Sequence, residues 1–293
     1  MASLPTSAAT SAPTSIMTPS GPTPPDDEPT IRYTRVDELF QVLNRVPGDV
    51  LIVTHVRPRN FSTMERERDS RRRRFRFRYY ASSQVLVITL PTWVHEQLHA
   101  HLYWHFMQKL VRIGVEDSWV SIGSPTYRTP GHPSGDVGES DSSGGPEPER
   151  LGPNEWPTLV IEAGDSKSLN LLRQDMRWWF DASNHKVKIV LLAKFDRSRR
   201  EIRLENWEEE AQVVRPGATT TRSVAANTLA PVLRQSITIT QNAASPPSYN
   251  VVRGALVLSF RLLFLKDPGP GEGDFAFSIP ELRVYAERVW SVV

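Results

Sequence analysis

Two stretches of the sequence carry side chains that could do chemistry. In WPTLVIEAGDSKS, residues 156 to 168, Glu162 ends an apolar run and is followed by Gly164, Asp165, Ser166 and Lys167. In HEQLH, residues 95 to 99, two histidines four positions apart bracket a glutamate. A carboxylate at a strand end can ligate a hard divalent cation, because such ions take oxygen donors. Histidines at i and i+4 share a helix face and can hold zinc, with the glutamate as general base. His105 stands at the spacing of a third histidine, but Leu102 replaces the glycine that the longer zinc pattern uses to turn the chain. On a continuing helix His105 is rotated about 80° from His95, which leaves Glu116 or another downstream acid as the third ligand.

These residues need elements to position them. On a strand starting at Thr158, Val160, Glu162 and Gly164 share one face, and Leu159, Ile161 and Ala163 share the other. A helix over 168–182 and a strand over 186–195 follow, which argues for a parallel pair joined by a right-handed crossover. Crevices open at the carboxyl ends of parallel strands, where the next helix points its positive N-terminus. Glu162 is placed there either as a metal ligand or as a solvated or capped strand end.

HEQLH falls near the start of a long helix over 92–113, whose Val94, Leu98, Leu102, Phe106, Leu110 and Ile113 form an apolar stripe. The spacing also predicts a helix over 35–46, a strand over 50–53 and a hairpin from FRFRYY and QVLVITL. Further strands are expected over 200–207, 236–240 and 255–265, with a last helix over 280–291. Residues 129–155 hold five prolines and six glycines without apolar periodicity and read as a surface loop, an insertion in a single domain spanning 31–293. Residues 1–30 lack Lys and Arg, are dominated by Ser, Thr and Pro, and read as a disordered tail.

The composition bounds the function class. Zero cysteines exclude thiolate nucleophiles, disulfides and cysteine zinc sites. A formal net charge of +2 gives no global pull towards an acidic partner, so any such preference must be local. No run reaches the roughly 18 apolar residues of a membrane span, and a soluble, intracellular protein without a membrane partner is expected. Local charge is concentrated in ERERDSRRRRFRFR, residues 65 to 78. Arg71, Arg72, Arg73 and Arg74 could neutralise nucleic-acid phosphates or serve as a nuclear import signal. The alternative is a solvated loop leading into a strand whose arginines face water.

The run WPTLVIEAGDSKSLNLLRQDMRWWFDASNHKVKIVLL resembles the core of PD-(D/E)XK, restriction-endonuclease-like proteins, and is similar to a set of fungal proteins related to a bacterial family. The resemblance extends to RYYASSQVLVITLPTWVHEQLHAHLYWHF before it and to VVRGALVLSFRLLFLKDPGPGEGDFAFSIPELRVYAERVW after it, covering most of residues 75–293. It implies an α/β (α+β) fold with an αβββαβ core and a mixed sheet flanked by helices. It also implies a nuclease that uses Mg²⁺ or Mn²⁺ to activate water against a nucleic-acid phosphodiester, DNA more than RNA.

Within that pattern Glu162 is the acid on the strand, Glu147 or Glu149 of PEPER is the upstream metal ligand, and Glu96 is a supporting helical glutamate. The lysine two residues past the strand acid is Gly164 here, so Lys167 or Lys188 would replace it, and Lys167 is the expected phosphate stabiliser. Asp175 in LRQDMRWW reads as a packing or surface residue. The alternatives are a catalytically inactive nucleic-acid-binding or interaction module of the same fold, and a zinc hydrolase built on HEQLH. Oligomeric state is not legible.

Overall fold

A computed structural model describes residues 28–129, 135–152, 155–211 and 229–293. The expected tail at 1–30 lies almost wholly outside the described residues. In chain order the elements are β1 (Thr30–Arg32), α1 (Val36–Leu43), β2 (Val50–Thr54), α2 (Pro58–Ser70), β3 (Arg76–Tyr80), β4 (Val85–Thr89), α3 (Trp93–Ile113), β5 (Trp119–Ser121), β6 (Thr126–Arg128), β7 (Val137–Glu139) and β8 (Ser142–Pro146). They continue with β9 (Leu159–Gly164), α4 (Leu169–Ala182), β10 (Ile189–Asp196), β11 (Glu201–Ala211), β12 (Leu229–Asn242), β13 (Ser248–Val252), β14 (Leu256–Leu258), α5 (Phe260–Phe264), β15 (Phe275–Phe277) and α6 (Ile279–Trp290).

The fold is mixed α+β, as expected. One sheet has the order β13-β12-β11-β10-β9-β8-β5 and another β1-β2-β4-β3-β7-β6. β9 and β10 are parallel neighbours joined through α4, with Glu162 opposite Leu192. β8 runs antiparallel to both β9 and β5. The first sheet, with α3 before it, thus contains the expected order of helix, three antiparallel strands, helix and parallel strand, with β6 and β7 departing to the second sheet in between.

Local rules explain the helix ends. Thr92 caps α3 by accepting from the His95 amide at 3.1 Å, and Gly114 ends it in the left-handed conformation at φ 72°. Ser168 caps α4, and Ser278 with Glu281 forms a capping box on α6.

Three apolar clusters stack as layers. α3 and α6 cover one face of the seven-stranded sheet through Leu98, Leu102, Phe106, Tyr285 and Val289 against Ile161, Leu191 and Phe195. α4 fills the space between that sheet and the second one, with Met176, Trp179 and Phe180 against Val160 and Leu192 on one side and Ile52 and Val87 on the other. α1 and α2 close the far face of the second sheet over Phe75, Phe77 and Tyr79.

Two expectations are corrected. The segment 129–155 contains β7 and β8, which are buried throughout, and β8 is an interior strand of the main sheet. Its glycines are needed there: a Cβ on Gly144 would lie 2.5 Å from Trp119 and 2.6 Å from Tyr103. The strand expected over 255–265 is instead the short β14 followed by α5, which stacks Phe260 on Phe264 with ring centroids 4.6 Å apart. The charged stretch from 65 to 70 is the second half of α2.

α3 is held mainly by its buried stripe. Leu98→Ala, at a fully buried position, is expected to cost about 2–5 kcal/mol in urea unfolding. Trp104→Ala on the exposed side of the same helix should stay within about 0.5 kcal/mol. Equal losses at both positions would show that α3 does not pack through this face.

Candidate functional site

The alternation of β3 sets the site. Phe75, Phe77 and Tyr79 point into the α1/α2 layer, so Arg76, Arg78 and Tyr80 must point the other way, towards α4 and β9. Arg78 is buried there. Its Nη2 donates to Glu162 Oε1 at 2.8 Å, and its Nε lies 3.3 Å from Asp175 Oδ1. The guanidinium packs between two indoles, 4.1 Å from the Trp178 ring centre and 4.6 Å from that of Trp179. The Trp179 indole N–H donates to the same Glu162 oxygen. Gly138 of β7 leaves room for this arrangement, since a Cβ would come within 2.1 Å of Arg78 Nη1.

Asp141 supplies the acid beside Glu162. Ser142 pairs with Ile161 across β8 and β9, so Asp141 stands opposite Glu162, and its Oδ2 accepts the Ala163 amide at 2.8 Å. Its Oδ1 lies 3.1 Å from His95 Nε2 and 3.4 Å from Arg76 Nη1. Arg76 also reaches Glu96 at 3.3 Å, and Glu96 Oε2 lies 3.3 Å from His99 Nε2.

Asp49, at the start of β2, ties this cluster to the loop after β9. It accepts from the backbone amides of Asp165, Ser166 and Lys167 at 2.6, 2.7 and 2.9 Å, from Ser166 Oγ at 2.6 Å, and contacts His95 Nδ1 at 3.0 Å. Gly48 allows this approach, because a Cβ there would overlap Ser166 Oγ at 2.1 Å.

The structure brings Glu162, Glu96 and Lys167 into one cluster and places the other candidate residues outside it. Glu147 and Glu149 are exposed. β8 runs antiparallel to β9, which carries them roughly 20 Å along the strand direction away from Glu162. Asp141, and neither of them, stands opposite Glu162. Lys167 is buried, but its ammonium pairs with Asp175. Asp175 is therefore a cluster residue rather than a surface one, and it also accepts from Tyr80 Oη at 3.2 Å. Gly164 cannot be the lysine position, because a Cβ there would lie 2.9 Å from the Lys167 carbonyl oxygen and 3.2 Å from Leu172. Lys188 Nζ donates to the His185 carbonyl at 2.7 Å, at the opposite end of β10.

Among the arginines, Arg71 is bound to Asp37 and Glu67, and Arg73 donates to Asn44. Arg72 and Arg74 are exposed and have no ion pair or side-chain hydrogen bond among the described residues. Arg76 and Arg78 face inward rather than to water. For zinc through HEQLH, Glu116 lies past the far end of α3, about 30 Å from His95, and cannot serve as the third ligand.

Burial and charge set the proton affinities. Burial raises Glu162 to about 7, helped by Asp141 and opposed by Arg78 and Lys167. Burial would lower His95, but Asp141 and Asp49 raise it to about 9. Burial would raise Asp141 and Asp49, yet His95 holds both below the usual carboxylate range, with Arg76 acting on Asp141 and Ser166 on Asp49. His99 lowers Glu96 to about 2 against a smaller effect of burial, with Arg76 adding to the lowering. Lys167 is raised, since Asp175, Glu162 and Asp141 outweigh its burial.

The cluster thus sets Asp49, Glu96, Asp141, Glu162 and Asp175 against Arg76, Arg78, Lys167 and His95. That balance does not fit the Mg²⁺ implied by the resemblance. Mg²⁺ requires an octahedron of oxygens and retains several waters. Here a guanidinium and an indole already donate to Glu162 Oε1, while an imidazole and a second guanidinium face Asp141 Oδ1.

Sequence reasoning missed Asp49, Asp141, Arg76, Arg78 and Asp175 as a unit. The FRFRYY alternation was a usable signal for Arg76 and Arg78. Asp141 was hidden in a Gly/Ser-rich segment that imitates a loop. A scan against protein-family models finds no match, and a search of curated proteins finds no similar chain.

The raised affinity of Glu162 has a defined effect on stability. Folding favours the protonated form, so this contribution is complete below pH 4.5 and is lost as pH rises through about 7. It amounts to about 3 kcal/mol over that interval. Urea unfolding of Glu162→Gln across the same interval is expected to lack this fall, and a slope identical to that of the unsubstituted protein would refute the raised affinity.

Proposed function

We propose that the chain is a PD-(D/E)XK-like domain that engages nucleic-acid phosphates by binding, through a positive rim beside a self-neutralised acidic cluster. The observation that supports it is the placement of the unpaired Arg72 and Arg74 directly before Arg76, whose guanidinium contacts Glu96 and Asp141. Arg74 lies two residues and Arg72 four residues before Arg76, spans of at most about 7 and about 14 Å, so these arginines, which have no partner among the described residues, border the cluster. Contacts of this kind neutralise phosphates without reading sequence and weaken steeply with salt.

A second reading, metal-dependent hydrolysis of the phosphodiester, is favoured by one observation: Asp141 and Glu162 face each other across β8 and β9 with Glu96 nearby on α3. Against it stand Arg78 and His95 at the carboxylate oxygens and the binding of Lys167 by Asp175. Mg²⁺ or Mn²⁺ and a nucleic-acid substrate belong to this reading, and a nuclear location is compatible with either.

The two readings separate in one experiment. The protein is incubated with single- and double-stranded DNA and RNA with Mg²⁺ or Mn²⁺, beside Asp141→Asn and Glu162→Gln, while binding is titrated against salt. Binding is expected without cleavage, and Arg72→Ala with Arg74→Ala should reduce the slope of log K against log salt by about 2. Cleavage abolished by either acid substitution would establish the second reading. Absence of salt-dependent binding would remove the first.

A further inference from the structure

We infer that His95, Glu96 and His99 form a binding site for a borderline transition-metal ion, Zn²⁺ in the first instance, independent of both functional readings above. The ligand atoms of these three residues lie within 4.8 Å of one another. Their outer atoms are already fixed. His95 Nδ1 contacts Asp49 at 3.0 Å, and His99 Nδ1 contacts Ser142 Oγ at 2.9 Å. A carboxylate or hydroxyl on the outer nitrogen is the usual device for aiming a histidine at a metal.

That aim turns both Nε2 atoms inward, where they are buried against carboxylate oxygens, Asp141 Oδ1 at 3.1 Å from His95 and Glu96 Oε2 at 3.3 Å from His99, without a formed hydrogen bond. Two buried imidazole nitrogens gathered with carboxylate oxygens in this way, outside hydrogen-bond geometry, ask for an explanation. Bonds of 2.0–2.2 Å to a tetrahedral ion place neighbouring donors about 3.3 Å apart. His99 Nε2 and Glu96 Oε2 already stand at 3.3 Å. Arg76 contacts the other Glu96 oxygen, Oε1, which leaves Oε2 for the ion. Glu96 is also the most exposed of the three, so the open coordination position faces the side from which water enters.

The donor set decides the metal. Two imidazole nitrogens and one carboxylate oxygen suit Zn²⁺ and its neighbours in the first transition row, not Mg²⁺. Because Glu96 is a ligand here, it is not available as the general base that HEQLH would supply in a zinc hydrolase. The site is an ion-binding site that ties the start of α3 to β8 through Ser142 and to β2 through Asp49.

The test uses the full chain, freed of metal with a chelator, then offered Zn²⁺ or Mg²⁺, passed through gel filtration and assayed for metal by mass spectrometry. About one Zn²⁺ per chain should be retained, and no Mg²⁺. His99→Asn and Glu96→Gln should each weaken zinc binding by at least about tenfold. The double variant His101→Ala, His105→Ala, which removes the outward pair on the same helix, should retain the zinc. No retained zinc in the unsubstituted protein, or zinc lost with the outward pair, would overturn the site. If His99→Asn fails to fold by circular dichroism, Glu96→Gln decides, and zinc content equal to that of the unsubstituted protein would again overturn it. Nucleic-acid cleavage is not the readout, so failure of either functional reading leaves this result standing.

Discussion

The guanidinium of Arg78 is buried between two protein layers, and the rest of the site is arranged around it. Removing an ion of this size from water costs several kcal/mol unless charges and hydrogen bonds replace the solvent. The replacement comes from two elements: Glu162 on β9, and Asp175 with the indole faces of Trp178 and Trp179 on α4. β7 contributes only space, at Gly138. Each partner belongs to a different layer from β3, so the salt bridge holds the second sheet, α4 and the main sheet in one register. Removing any partner would leave a charge uncompensated in an apolar interior, which is why these residues are coupled rather than additive.

The elements that position this cluster were legible wherever one periodicity dominated. α3, α4, β9 and β10 have clean apolar patterns, and the parallel β9–β10 pair followed from the strand, helix and strand spacing. β8 was not legible because its sequence, SSGGP, satisfies a different constraint. Gly144 lies under Trp119 and Tyr103, so the strand must be small where its neighbours are large. Local composition records only the small residues and gives the same signal as a loop. Asp141 is hidden with the strand that carries it, and the acids visible in sequence lie in the exposed PEPER segment instead.

The alternation in FRFRYY shows a second limit. Period-two patterning says that the arginines and aromatics occupy opposite faces, but not which face is inside. The usual assignment buries the aromatics and exposes the arginines. β3 lies between two packed layers, so both faces are buried, and Arg76 and Arg78 acquire partners that lie far away in sequence. The position two residues after Glu162 has no room for a lysine for a related reason. The Asp49 carboxylate binds three consecutive amides after β9 and folds that loop tightly over Gly164. The space a lysine would need is filled by the Lys167 backbone, and the Lys167 side chain turns instead to Asp175.

These constraints produce two electrostatic zones with different uses. In the inner zone the carboxylates already hold cations, so an arriving phosphate gains little from them and a dication must compete with fixed guanidinium and imidazolium groups. In the outer zone Arg72 and Arg74 have given up no charge to a partner among the described residues, so their field is available to a phosphate backbone. Arg76 joins the two, since it follows the free arginines in sequence and contacts Glu96 and Asp141 inside. An anion drawn to the rim would therefore compete with Glu96 for Arg76, and loss of that contact would free Glu96 Oε1 beside the His95 and His99 nitrogens. Were both proposed sites occupied, they would share this one guanidinium, and such a linkage would be reciprocal.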